Sequence, residues 1–139
     1  PNANAKHLHK ALNNRSHNVR VIAAAHPNAN AEHIDKALND KNDLVRRHAS
    51  YNPNANAEQI HKALNDKDNY IRRAAAKNPS ANPTHIQRAL DDDNIGVREA
   101  AAKHPNITSD QLHQALSDPE TDVRSAAKNN PNYNKIMGK

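Results

Sequence analysis

The chain contains no cysteine, no phenylalanine and no tryptophan, and only two glycines, Gly96 and Gly138. Each absence removes a class of chemistry. Without cysteine there are no disulfides, thiolate metal sites or cysteine nucleophiles, and the redox compartment is left unassigned. Two isolated glycines cannot make a glycine-rich phosphate loop. The aromatic residues are Tyr51, Tyr70 and Tyr133, 2% of the chain, too few for an ordinary globular core. No apolar run approaches the ~20 residues needed to span a bilayer, so no membrane partner is expected, and no signal-peptide pattern opens the sequence. The first residue is Pro1 rather than methionine, as expected of a trimmed chain or of a segment cut at a repeat boundary.

What is present is a period. Proline recurs at Pro1, Pro27, Pro53, Pro79, Pro105 and Pro131, always 26 residues apart. A fixed spacing in the range of about 20–50 residues marks a stacked-repeat architecture. The 139 residues divide into one array of five units, 1–26, 27–52, 53–78, 79–104 and 105–130, with a partial unit at 131–139. A mean hydropathy of −1.08 by itself resembles that of a disordered chain. The strict recurrence of Ala, Leu, Ile and Val argues for order instead.

Numbered from its proline, each unit has a helix-capping residue at position 4: Asn4, Asn30, Asn56, Asn82, Thr108 and Asn134. Such side chains accept from the orphan N–H groups of a helix start, and Pro83 suits the first helical position. Apolar residues at positions 5, 8, 11 and 12 predict a first helix over positions 5 to 13. An Asn/Asp-rich turn follows at 13 to 16. A second helix over 17 to 25 is expected to bury positions 19, 22 and 23, and the following Asn-Pro or His-Pro junction ends it. Helices this short are marginal alone, so stacking must supply their stability. The expected fold class is all-α, an α-solenoid of five two-helix repeats and a partial sixth.

The pattern Leu/Ile–x–x–Ala-Leu–x–Asp, then Val-Arg, Ala-Ala and Asn-Pro, is clearest in IQRALDDDNIGVREAAAKHP from Ile86 to Pro105. It resembles the leucine-rich repeat variant family and, more widely, HEAT-like helical repeats. The resemblance implies paired short helices, the second either α or partly 3₁₀, stacked in a right-handed superhelix. The family's iron–sulfur cluster is held by cysteines, so no cofactor carries over.

Arginine at position 20 recurs as Arg20, Arg46, Arg72, Arg98 and Arg124, and aspartate at position 14 as Asp40, Asp66, Asp92 and Asp118. One reading makes the arginines a phosphate-binding ladder. The preferred reading pairs them with the aspartates, or with position 16, as a structural ladder between layers, since poorly exposed charges need partners. Position 10 (Lys10, Lys36, Lys62) and position 21 (Arg47, Arg73) vary from copy to copy and read first as solvated surface. With Tyr51, Tyr70, Lys77 and Lys103 they also form the candidate partner-binding face, as a basic stripe with aromatic interleaving.

Ten histidines invite a metal reading. Positions 7 and 9 do not share a helix face, and equivalent positions in adjacent layers are about 10 Å apart. Surface histidine is the default, and no metal site is expected. No nucleophile–base arrangement stands out, and the serines are read as turn or variable-face residues. The array is therefore expected to be a non-enzymatic scaffold that binds a protein.

Charge opens two alternatives. The net charge is +5 and the isoelectric point about 9.6, which admits nucleic-acid binding through the basic first repeats. Successive units carry +4, 0, +2, −1 and −2, so opposed ends admit head-to-tail self-association into filaments.

Overall fold

The computed structural model describes residues 4–138, and among them every regular element is an α-helix. Each unit folds as a helix pair: α1 (Ala5–Leu12) with α2 (His17–Ala24), α3 (Ala31–Leu38) with α4 (Asp43–Tyr51), and α5 (Ala57–Ala63) with α6 (Asn69–Lys77). The pairs α7 (Pro83–Leu90) with α8 (Ile95–Ala102), and α9 (Ser109–Leu116) with α10 (Thr121–Lys128), follow, and α11 (Tyr133–Met137) starts the sixth. The second helices are α rather than 3₁₀, because the position-20 N–H bonds the carbonyl four residues back, as in Arg46 to Asn42 and Arg98 to Asn94.

The first helices start where the sequence places them. Asn30, Asn56, Asn82 and Thr108 each accept from the third helical N–H, and the side chain there, His33, Gln59, His85 or Gln111, reaches back to the cap's own N–H. This is a capping box in which histidine can stand for glutamine. Asn42, Asp68 and Asn94 cap the second helices in turn. The sixth unit departs from the rule. Asn134 lies inside α11, and the cap position falls two residues earlier at Asn132. Tyr133 stands where earlier copies bury Ala29, Ala55, Ala81 or Ile107, and the chain turns helical there.

The core runs continuously through the stack along positions 8, 11, 12, 19, 23 and 24, with position 3 from the inter-repeat turn. Ile34, Ala37, Val45, Ala49, Ala75, Val97 and Ala101 are wholly buried. One expectation fails here and another holds only in part. Position 5 is exposed in Ala5, Ala31, Ala57 and Pro83, because the first residue of a helix projects beyond the packed face. Position 22 is buried as expected in Ala74, Ala100 and Ala126, whereas Ile22 is 67% exposed and His48 half-buried. Alanine at positions 11 and 23 lets backbones approach closely, so a tight core needs no aromatic residue.

Polar bonds supplement this modest core. Asn52, Asn78 and Asn130 at position 26 are buried. Each amide nitrogen donates to two carbonyls of the preceding layer: Ala24 and His26, Ser50 and Asn52, Ala102 and His104. Each Oδ1 accepts a backbone N–H two residues on. His104 does both with its two ring nitrogens. At position 7, Nε2 of His33, Gln59, His85 and Gln111 bonds the preceding layer's carbonyl of Ala5, Ala31, Ala57 and Pro83. At position 2, Asn54, Ser80, Asn106 and Asn132 reach the carbonyls of Pro27, Pro53, Pro79 and Pro105.

These bonds correct the surface reading of the histidines. His33, His85 and His104 are buried, because an imidazole with one acceptor and one donor nitrogen reproduces a carboxamide. Ser50 is likewise buried and bonds the Arg46 carbonyl. Ser80 is also no bystander in a turn, since its Oγ joins two layers.

Candidate functional site

Position 20 arginines project from the second helices toward the turn of the next layer. Nε lies 2.8 Å from Asp40 in Arg20, 3.1 Å from Asp66 in Arg46, and 2.9 Å from Asp92 in Arg72 and from Asp118 in Arg98. In each case Nη1 also donates to the carbonyls at positions 14 and 15 of its own turn. The carboxylate's other oxygen accepts the N–H of position 16. The guanidinium is thus engaged on both sides, which leaves little of it for a phosphate. Arg124 has no carboxylate among the described residues and bonds the Asp118 carbonyl and Thr121 Oγ1 instead.

Electrostatics follow the geometry. Burial pushes the Asp92 carboxyl up, but the Arg72 hydrogen bond and the Asn94 N–H outweigh it and hold it below the usual range. Asp40 is held low in the same way by Arg20 and Asn42. The Arg72 guanidinium is pushed up, chiefly by its bond to Asp92.

The rest of the candidate face does not form one stripe. Lys10, Lys36 and Lys62 sit on the first helices α1, α3 and α5. Lys62 bonds Asn39 of the layer before, and Arg88 bonds Asn65 in the equivalent way. Arg47, Tyr51, Tyr70, Arg73 and Lys77 sit on the second helices α4 and α6, where with His48 and Ala74 they line a groove of about 430 Å3. The Arg47 guanidinium carbon lies 5.9 Å from the Tyr70 ring centroid, a cation–π contact. Lys103, the C-cap of α8, is tied to Glu99 at 3.1 Å. Basic residues read together in sequence therefore separate, because positions 10 and 21 belong to different helices.

The groove is uncompensated. No aspartate or glutamate lines it. Burial, then the charges of Arg73, Lys103 and Arg47, push the Lys77 ammonium below its usual value, with Glu99 acting the other way. Arg73 lies across α8, where a Cβ on Gly96 would meet its Cδ at 3.6 Å. His48 and Gly96 carry no sequence signal of a site. Their part becomes visible only when α4, α6 and α8 lie side by side. Among the described residues, no group of three His, Asp or Glu side chains is placed to hold a metal ion.

No protein-family model matches the chain, and no curated protein matches it. A solved structure described as "a leucine-rich repeat variant with a novel repetitive protein structural motif" aligns over 98% of this chain and 71% of its own, with a TM-score of 0.58 and 18% identity. The fold is that of a leucine-rich repeat variant. At this identity the likeness concerns the scaffold alone. Within the leucine-rich repeat variant scaffold, the groove between α4 and α6 is where this chain departs from its own repeat, with both exposed tyrosines and adjacent unpaired cations.

Proposed function

We propose that this helical-repeat scaffold is non-enzymatic and binds a protein partner along its second helices. One observation carries the reading. The large apolar residues left exposed, Ile22, Leu44, Tyr51, Tyr70 and Ile95, all lie on second helices, none on a first helix. Around the tyrosines stand Arg47, Arg73 and Lys77. Tyrosine and arginine are the residues most enriched where protein interfaces concentrate their binding energy.

The test is comparative capture. Bait carrying Tyr51→Ala and Tyr70→Ala should lose any partner that wild type retains, whereas bait carrying Lys10→Ala, Lys36→Ala and Lys62→Ala should keep it. Retention by the tyrosine variant and loss by the lysine variant would place the interface on the first helices and end the proposal.

A second reading, nucleic-acid binding, is favoured by the two tyrosines that line a groove with Arg47, Arg73 and Lys77. Titration with single-stranded DNA across salt concentrations addresses it, since phosphate contacts demand a steep log–log slope. Head-to-tail self-association has less support. It rests on the opposed charge of the first and last units, with no geometric observation beside it.

A further inference from the structure

We infer that the groove between α4 and α6 takes an acidic peptide segment whose carboxylate is held by Arg73 while a neighbouring apolar side chain packs on Tyr51. This rests on the protein-binding reading and specifies the partner's chemistry. Three observations carry it.

The first is an unmet donor. Arg73 Nε is buried and has no hydrogen-bond partner, alone in this among the buried side-chain nitrogens and oxygens described. A buried donor without an acceptor is rare and unfavourable. The fold shows what arginine does when an acceptor is present. Arg20, Arg72 and Arg98 each hold a carboxylate side-on, through Nε and Nη2 together. Arg73 stands one residue after Arg72, lines the groove, and has no carboxylate at its Nε.

The second is charge. Arg47, Arg73 and Lys77 line the groove with no acid among them. Lys103 beyond them is already paired to Glu99. The positive region is therefore short. It suits one or two carboxylates better than the extended backbone of a nucleic acid, which would run on toward Glu99 and Asp122 at the next groove along the stack.

The third is the state of the aromatics. Arg47 already covers a face of Tyr70, which withdraws it from base stacking. Tyr51 is 51% exposed and lies in the same groove, ready to meet an aliphatic or aromatic side chain. A carboxylate on Arg73 beside an apolar group on Tyr51 is the chemistry of an acidic, amphipathic segment.

The experiment uses random twelve-residue peptides displayed on phage and selected on the intact chain, with synthetic copies of the winners titrated against variants. The expected pool is rich in Asp and Glu beside apolar residues. Its members should weaken by about tenfold or more on Arg73→Ala. Arg73→Lys, which keeps the charge but lacks the side-on donor pair, should not restore them. Unchanged thermal melts establish that both variants fold. Acidic peptides indifferent to Arg73→Ala overturn the inference. Neutral or basic peptides that need Tyr51 also overturn it, yet leave the second-helix interface standing. Recovery of no peptide at all overturns both readings together.

Discussion

At positions 7 and 26, asparagine, glutamine and histidine do one job, as bridges with an acceptor at one end and a donor at the other. His85 illustrates the limits of the equivalence. Its Nδ1 accepts the Asn82 N–H while Nε2 meets the Ala57 carbonyl, which only the neutral ring can do. Burial pushes its pKa below the ordinary value of 6.5; the Ala57 carbonyl pulls it up, and His61 adds to the lowering. A depressed pKa means the unfolded chain binds the proton more readily. The contribution of His85 is therefore full above pH about 6.5 and lost as pH falls through the lower folded-state value. His85→Gln, which copies Gln59 and Gln111, should change stability at pH 7 by less than about 1 kcal/mol. Urea melts from pH 7.5 to 5 should then show a flatter decline than wild type. The arginines give a second prediction. Arg72→Ala should destabilise by about 3 kcal/mol because it strands Asp92, whereas Arg124→Ala should cost about 1 kcal/mol because it releases only a carbonyl and a hydroxyl. Equal losses would refute the ladder as a source of cohesion. Asp40 and Asp92, both held low, keep their contribution above pH about 3.8 and lose it as pH falls through their lower folded values.

At the scale of the helix, small residues decide the geometry. Ala49, Ala75, Ala101 and Ala127 at position 23 are fully buried on second helices that pack layer on layer. Ala75→Leu should force neighbouring helices apart and cost about 3 kcal/mol, read as a lower urea midpoint, while the same change at exposed Ala57 should be nearly neutral. Helix starts, the two-helix unit and the Arg–Asp spacing were legible in the sequence because each depends on local or strictly repeated pairings. The bridging role of position 26 was not. Asn52, Asn78 and His104 read as punctuation before proline, since their partners are carbonyls in the preceding layer. Position 3 was missed for a related reason: Ala29 and Ala81 lie outside any helix and join the core only through the stack. The groove was half legible. Tyr51, Tyr70, Arg47, Arg73 and Lys77 were marked by their departure from the repeat, but Lys10, Lys36 and Lys62 carried the same mark and belong to the other helix layer. Periodicity identifies equivalent positions without saying which variable positions adjoin.

Across the whole molecule, stability is shared between neighbours rather than concentrated in one centre. Each layer contacts only those beside it, so local opening should begin where neighbours are fewest. α11 has no fully buried residue, and α1 has no layer before it among the described residues. Native-state hydrogen exchange should show the slowest amides in α4, α6 and α8, with protection declining toward both ends. Uniform protection from α1 to α11 would instead mean that the array opens only as a single unit. Breaking both kinds of bond at one junction, with Arg72→Ala and Asn78→Ala together, should split the denaturation curve into two steps.

The bridging bonds have a direction. Arginine at position 20 reaches one layer forward, while asparagine, glutamine and histidine at positions 2, 7 and 26 reach carbonyls one layer back, at separations along the chain of 20 residues for the first and 25 to 28 for the others. Excision of residues 53–78 would present Arg46 to Asp92 and His85 to the Ala31 carbonyl, with each bond type re-formed across the seam. An insertion of one residue inside a helix has no such escape, because it turns the side chains beyond it away from both adjoining layers. Length in this molecule is thus quantised. It can gain or lose whole units by duplication and deletion with little penalty, and hardly anything in between.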